Sequence, residues 1–338
     1  MPFSVGSLKT AWSGHRFASC AAFCGDIDAL RDVAISVRLA HTLASMLAAT
    51  STPKLCVGID FSGNHRMWSP GCGKSNVWIA EVRCSSPRPI LLSLKRVQHL
   101  SGDGHPFDRL IRYLRETDFD AAAIDAPFSV PVEYLQPRTH SELLKLVGKA
   151  ELIDRRPFPS GQDFVDLVLE GRAPATKKPL RRTEGYWRDL KVNVRSTLWA
   201  GSRGGAPMTA ACLKLLYEAG RPIWPWRRSG RGLIAEAFPA AQLCNWGLTH
   251  QRYGREADVE TRRSITAAIS DRIDLGDFRP PVEQCGDALD AVICAFSAIA
   301  VQSGDVLSYT SEHIEAEGSI AVYSGEPPSQ KTLSKGLS

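Results

Sequence analysis

Residues 54–64 read KLCVGIDFSGN, a mostly apolar run that ends on Asp60 and passes directly into Phe61-Ser62-Gly63-Asn64. A short apolar run closed by turn residues reads as a buried strand. An acid at its end loses hydration unless it is paired, hydrogen-bonded or cation-bound. Residues 77–84 (VWIAEVRC) and 90–97 (ILLSLKRV) read as two more strands, joined by Ser85-Ser86-Pro87-Arg88-Pro89. Three strands in series suggest an antiparallel meander. Phe107 to Glu116 has helical spacing, with Phe107, Leu110, Ile111 and Leu114 on one face. Residues 120–125 (DAAAID) then form a fourth strand. A helix-linked return gives a parallel neighbour, so the order implies an α/β protein with a mixed sheet.

Residues 130–230 break this pattern. They are rich in Pro, Gly, Arg and Trp, with helical pieces at His140–Val147 and Thr209–Ala219. Residues 232–238 (GLIAEAF) read as a fifth strand. Asp258–Ile273 is expected to be helical. Gly286–Val301 is the clearest helix, with Leu289, Val292, Ile293 and Phe296 on its apolar face. Ser319–Tyr323 reads as a last short strand. The expected organisation is an N-terminal extension over 1–53, a domain over 54–323 carrying an insertion at about 130–230, and a flexible polar tail over 324–338. Within the extension, Ile27–Ala49 has amphipathic helical spacing. Either it docks as a helix or 1–53 is a poorly ordered leader.

Composition narrows the function classes. The chain has 338 residues, 43% hydrophobic, with a formal net charge of +5. That length allows one large or two ordinary domains with a sizeable core. No run of about 18 apolar residues predicts a membrane span, and the N-terminus lacks the layout of a secretory signal. Nine cysteines without a CxxC pair fit reduced thiols and a cytoplasmic location better than a disulfide scaffold. The eight histidines show no zinc-ligand spacing.

Three apolar strands each carry an acid at or near the carboxyl end: Asp60, Asp125 and Glu236. In open α/β sheets ligands gather at that end. The helix beginning at Gly286 adds Asp287 and Asp290, which share one face of its first turn. Capping of the helix N-terminus accounts for Asp287, but less well for Asp290 among Leu289, Ala291 and Val292. Converging carboxylates repel one another unless cations neutralise them. Oxygen-only ligands suit Mg²⁺ or Mn²⁺, and two such ions are the usual machinery of phosphodiester hydrolysis. No GxSxG elbow or Walker loop offers a competing chemistry.

With these pieces in this order, the chain resembles the RNase H-like superfamily. Gly286-Asp287-Ala288-Leu289-Asp290-Ala291 looks like the two-acid final helix of RuvC-type Holliday-junction resolvases. The span 54–323 is similar to the family catalogued as domain of unknown function 429, described as predicted nucleases of RNase H-like fold. The matching pieces are Val57-Gly58-Ile59-Asp60, Ile124-Asp125-Ala126-Pro127-Phe128, Glu236-Ala237-Phe238-Pro239, Asp287-Ala288-Leu289-Asp290 and Glu317-Gly318-Ser319-Ile320. The resemblance implies a mixed five-stranded sheet flanked by helices, with a large basic, partly helical insertion. It implies a metal-dependent nuclease in which Asp60, Asp125 and Asp290 bind Mg²⁺ or Mn²⁺. Glu236 and Asp287 would be further ligands or a base.

Residues 171–231 contain 14 Lys and Arg against 3 Asp and Glu, so the insertion holds +11 and the rest of the chain −6. Basic residues interleaved with tryptophans can track phosphates and stack on bases. The expected contacts to DNA or RNA are Lys177, Lys178, Arg181, Arg182, Trp187, Arg227 and Arg228. Alternatively, this is a solvated basic face whose tryptophans are core. Two other functions compete: a non-catalytic nucleic-acid-binding protein of the same fold, and an actin-like ATPase or sugar kinase, whose first phosphate loop Gly58-Ile59-Asp60-Phe61-Ser62-Gly63 resembles.

Overall fold

The computed structural model describes residues 54–84, 88–152, 156–174, 176–307 and 313–325. The extension over 1–53, with its expected helix at Ile27–Ala49, and the tail from residue 326 lie outside the described residues. The strands are β1 (Lys54–Asp60), β2 (Trp78–Cys84), β3 (Ile90–Arg96), β4 (Ala121–Asp125) and β5 (Leu233–Glu236). They form one mixed sheet in the order β3-β2-β1-β4-β5. β1, β2 and β3 pair antiparallel, whereas β4 and β5 run parallel to β1.

Eleven helices are described: α1 (Pro106–Glu116), α2 (Val132–Leu135), α3 (His140–Gly148), α4 (Gly161–Leu169), α5 (Arg182–Asp189), α6 (Ala206–Ala219), α7 (Pro239–Asn245), α8 (Val259–Ile269), α9 (Arg279–Gln284), α10 (Gly286–Ser303) and α11 (Ile314–Glu317). Strand alternation divides the core in two. Cys56, Ala121, Ala123, Leu233 and Ala235 face α10, and Val57, Ile59, Ala122, Ile124 and Ile234 face α1 and α6. The segment between β4 and β5 holds α2 to α6. Sequence spacing missed α4 and α5, yet α4 carries a local start signal: Ser160 and Asp163 form a reciprocal capping box.

Two expected elements differ. The helix from Asp258 ends at Ile269 because Asp274 instead pairs with the sheet edge, its carbonyl accepting from the Leu91 amide. Ser319–Tyr323 makes isolated bridges, Ile320 to Glu236 and Tyr323 to Val306, rather than a strand.

α10 is long and apolar enough to cross a membrane by composition, but 78% of it is buried in the core across the sheet. Its seat depends on Gly58. A Cβ there would lie 2.1 Å from the Ala291 carbonyl oxygen and 2.3 Å from the Ala295 nitrogen. Both are backbone atoms, so no side chain can yield. Gly58→Ala is therefore expected to cost about 3 kcal/mol or more in thermal or urea unfolding. An unchanged midpoint would refute this close packing.

Candidate active site

Asp60 and Asp125 are register partners at the carboxyl ends of the parallel neighbours β1 and β4. Register partners share a face, and Gly58 and Ala123, two residues back, face α10. Both aspartates therefore point to the side where α10 begins. The first turns of α10 bring Asp287 and Asp290, and the bare Gly58 backbone lets that helix approach. All four line a cavity of about 310 Å³. The Tyr253 hydroxyl donates to Asp290 Oδ1 at 2.8 Å, which orients that carboxylate. Tyr253 is held in turn by the fully buried Arg262, which donates to the carbonyls of Tyr253 at 2.6 Å and Gln284 at 3.0 Å. One buried cation thus ties the Tyr253 loop to the segment that starts α10.

Each carboxyl is shifted upward. Burial raises Asp60 well above the usual range, and Asp290, Asp125 and Asp287 add repulsion. Burial, then Asp125, does the same to Asp290, against the Tyr253 hydrogen bond. Asp125 is pushed up to about 7, by burial first; Arg195 opposes the shift and Glu236 adds to it. Burial brings Asp287 to about 6 against the pull of Arg96 and Arg262. The set is a cluster of acids with too little positive charge around it.

Glu236 does not belong to that cluster. Its register partner is Ile124, not Asp125, so its side chain leaves the opposite face of the sheet. There it accepts from the Phe128 amide at 3.0 Å and from both terminal nitrogens of Arg181. Arg181 also pairs with Glu184 at 2.6 Å, and Glu317 receives the Val132 and Arg182 amides. Glu236 lines the same cavity, but its oxygens are committed to this buried network.

Two of the seven expected contacts in the insertion are corrected in the same way. Arg181 and Trp187 are each 1% exposed, so neither can meet a polymer. Trp187 packs with Val192, Ala241, Ile320 and Val322. Lys177 and Lys178 lie exposed over the Trp199 ring, and Arg182, Arg227 and Arg228 are exposed, but none of these five lines the carboxylate cavity. Trp226 stacks on His140 with ring centroids 3.4 Å apart. Basic charge is also used internally: Arg221 donates to the Leu114, Arg115 and Thr117 carbonyls at the end of α1. A larger cavity, about 1170 Å³, adjoins Arg227 and contains none of the four aspartates. Chemistry, not size, singles out the smaller one.

The insertion does reach the aspartates, through Asn193, Val194 and Arg195. Arg195, Asn76 and Tyr253 were missed by sequence reasoning. They lie in irregular segments, where no periodicity points at a site. The buried Asn76 Oδ1 has no hydrogen-bond partner. Among the described residues, no group of three or more His, Cys, Asp or Glu is placed, as it stands, to hold a metal ion.

A family model described as Protein of unknown function (DUF429) matches residues 101–314, a span that contains Asp125, Glu236, Asp287 and Asp290. No curated protein and no solved structure matches the chain.

Proposed function

This chain belongs to the family described as Protein of unknown function (DUF429), and on that footing we propose that it is a divalent-cation-dependent hydrolase of nucleic-acid phosphodiesters, with an RNase H-like fold. The observation that carries the reading is the cavity lined by four aspartates from β1, β4 and α10, each with its pKa raised, Asp60 and Asp290 by burial and by neighbouring aspartates, Asp125 and Asp287 chiefly by burial. Perturbed acids converging in a cleft mark a functional site, and charge of this sign calls for a cation. The mixed sheet with a late helix laid across it supports the RNase H-like assignment.

The donor chemistry fits Mg²⁺ or Mn²⁺. The aspartates and the unpartnered Asn76 oxygen are all hard oxygen ligands. Asp60, Asp125 and Asp290, which line the shared cavity, would hold the cation. When bound, it supplies a more acidic water and a counter-charge for the leaving oxygen. The chain's own groups do the rest. Tyr253 keeps one oxygen of Asp290 fixed. Arg195, exposed on the cavity wall, faces the phosphodiester anion. Asp287, with its pKa near 6, accepts the proton of the attacking water.

The test is Mn²⁺ binding by calorimetry at several pH values, with anomalous scattering from Mn²⁺-soaked crystals. Cation and proton compete for the same oxygens. Affinity should therefore rise from pH 6 to pH 8 as Asp287 and Asp125 give up their protons. An anomalous peak is expected between Asp60, Asp125 and Asp290. No peak, or binding indifferent to pH, would sink the metal site. Cleavage of labelled DNA and RNA with Mg²⁺ completes the test.

A further inference from the structure

Two cysteines meet near the opposite end of β1 from Asp60. β1 and β2 run antiparallel, with Lys54 opposite Cys84 and Cys56 opposite Val82. Cys56 and Cys84 are therefore diagonal neighbours on one face of the sheet, the face covered by α10. Their sulfurs are 3.3 Å apart. A disulfide needs about 2.05 Å between sulfurs, so roughly 1.3 Å of approach closes one. Cys56 has no exposed surface, whereas Cys84 is half-buried. One thiol is partly open to a small reagent, and the other lies behind it.

The surroundings divide the work between the two. The Cys56 thiol donates to the ionised Cys84 sulfur and lowers its pKa; Lys54 helps, against burial and Asp120. The same contact, with burial, holds the proton on Cys56. Burial raises the thiols of Cys212, Cys244, Cys285 and Cys294. A half-buried sulfur that ionises readily is the one that attacks, and a protonated sulfur in contact with it is placed to resolve the product.

We propose that Cys84 and Cys56 are a peroxide-reactive thiol pair that closes into an intramolecular disulfide. The Cys84 thiolate attacks one oxygen of hydrogen peroxide. An S–O bond forms, the O–O bond breaks, and the departing hydroxide takes up the proton that Cys84 released, giving water. The sulfur is oxidised by two electrons to a sulfenic acid, and the peroxide is reduced. The Cys56 sulfur then attacks the Cys84 sulfur as its own proton leaves. The S–S bond forms, the S–O bond breaks, and hydroxide departs with that proton as a second water. Two thiols and one peroxide thus give one disulfide and two waters. The bond closes a loop over residues 56–84, which carries Asp60, Phe61 and Asn76 of the aspartate cavity. Closing a loop restricts the unfolded chain, so the oxidised protein is the more stable one. Neither sulfur lines the aspartate cavity, so the pair reacts whether or not that cavity is a hydrolase centre.

The test uses the full chain, reduced and then treated with hydrogen peroxide. Free thiols are capped with N-ethylmaleimide, and the unreduced digest is mapped by mass spectrometry. The expected main product is a peptide pair joined through Cys56 and Cys84, about 2 Da lighter than its reduced parts and split by dithiothreitol. In Cys56→Ser the resolving sulfur is gone, and Cys84 should persist as a sulfenic acid that dimedone captures. In Cys84→Ser, Cys56 should stay a free thiol after the same dose. Oxidation should raise the wild-type melting temperature by about 5 °C and leave that of Cys84→Ser unchanged. The pair is refuted if Cys56 and Cys84 remain fully capped after a dose that oxidises free cysteine, or if Cys84 joins a different cysteine. It is also refuted if urea-unfolded chain gives the same product in equal yield. The order of attack is overturned if dimedone labels Cys56 in Cys84→Ser but not Cys84 in Cys56→Ser. The wild-type map needs neither variant, so it decides the pairing even if a variant does not fold.

Discussion

Asp60→Asn should abolish cation-dependent cleavage and, in the same preparation, raise the melting temperature of the metal-free protein. The two effects have one cause. Burial and three neighbouring aspartates disfavour the Asp60 carboxylate. An amide of nearly equal volume removes the charge and keeps the packing. The cluster also sets the pH dependence. A folded-state pKa raised above the unfolded value stabilises at low pH, and that contribution is lost as pH rises through the folded value. Asp125 moves from the ordinary 3.8 to about 7, so the window runs from about pH 4 to pH 7. The loss across it is at most about 4 kcal/mol. Metal-free wild-type protein should therefore melt at a lower temperature at pH 8 than at pH 5, and Asp60→Asn should melt with a shallower pH slope. Mg²⁺ should restore wild-type stability at pH 8 and do little for the variant. Cleavage should fall at least about 10³-fold, equivalent to about 4 kcal/mol of lost transition-state stabilisation. A destabilised Asp60→Asn protein that still cuts would overturn this account of the cluster.

Arg181→Ala is expected to cost about 4 kcal/mol, enough to leave much of the protein unfolded at 37 °C. Burial opposes the charge on Arg181, but Glu184 and Glu236 outweigh it, and its pKa is raised. The substitution strands two buried carboxylates and opens a cavity beside β5. A surface arginine that merely touched a polymer would lower affinity and leave the melting curve alone. Replacing the whole set with neutral groups should behave differently, because a buried ion network is often dispensable when all its charges go together. Arg181→Met with Glu184→Gln and Glu236→Gln should recover most of the lost stability, measured by urea unfolding. The triple variant should also keep Mn²⁺ affinity within about tenfold of wild type, because Glu236 points to the other face of the sheet. A triple variant that folds but no longer binds Mn²⁺ would return Glu236 to the ligand set.

Much of the fold was legible because strand and helix leave different periods in the chain. The five strands and the helices at 107–116, 140–147, 209–219 and 286–301 lie within a few residues of their expected limits. Helices α4 and α5 were not found: α5 has few apolar positions, and α4, though apolar at Phe164, Val165, Leu167, Val168 and Leu169, is only nine residues long within a stretch rich in Pro, Gly and Arg. Four of the five expected acids, Asp60, Asp125, Asp287 and Asp290, cluster in one cavity, while the fifth, Glu236, reaches its wall but is committed to Arg181. Acids at the ends of apolar strands, and a pair spaced three apart on a helix, are local features that one dimension can display.

The chain by itself determined which acids sit at strand ends and which share a helical face, because these follow from spacing along a single element. Only the tertiary structure decided which of them meet. Glu236 pairs in register with Ile124 rather than Asp125, and a one-residue difference turns a side chain to the other face of a sheet. The same holds for charge. The +11 of residues 171–231 is a property of the sequence, but Arg181 is spent on buried carboxylates and Arg221 on the end of α1, while Arg195 alone among these arginines lines the aspartate cavity. Register and burial depend on contacts between distant segments, and no local pattern encodes them.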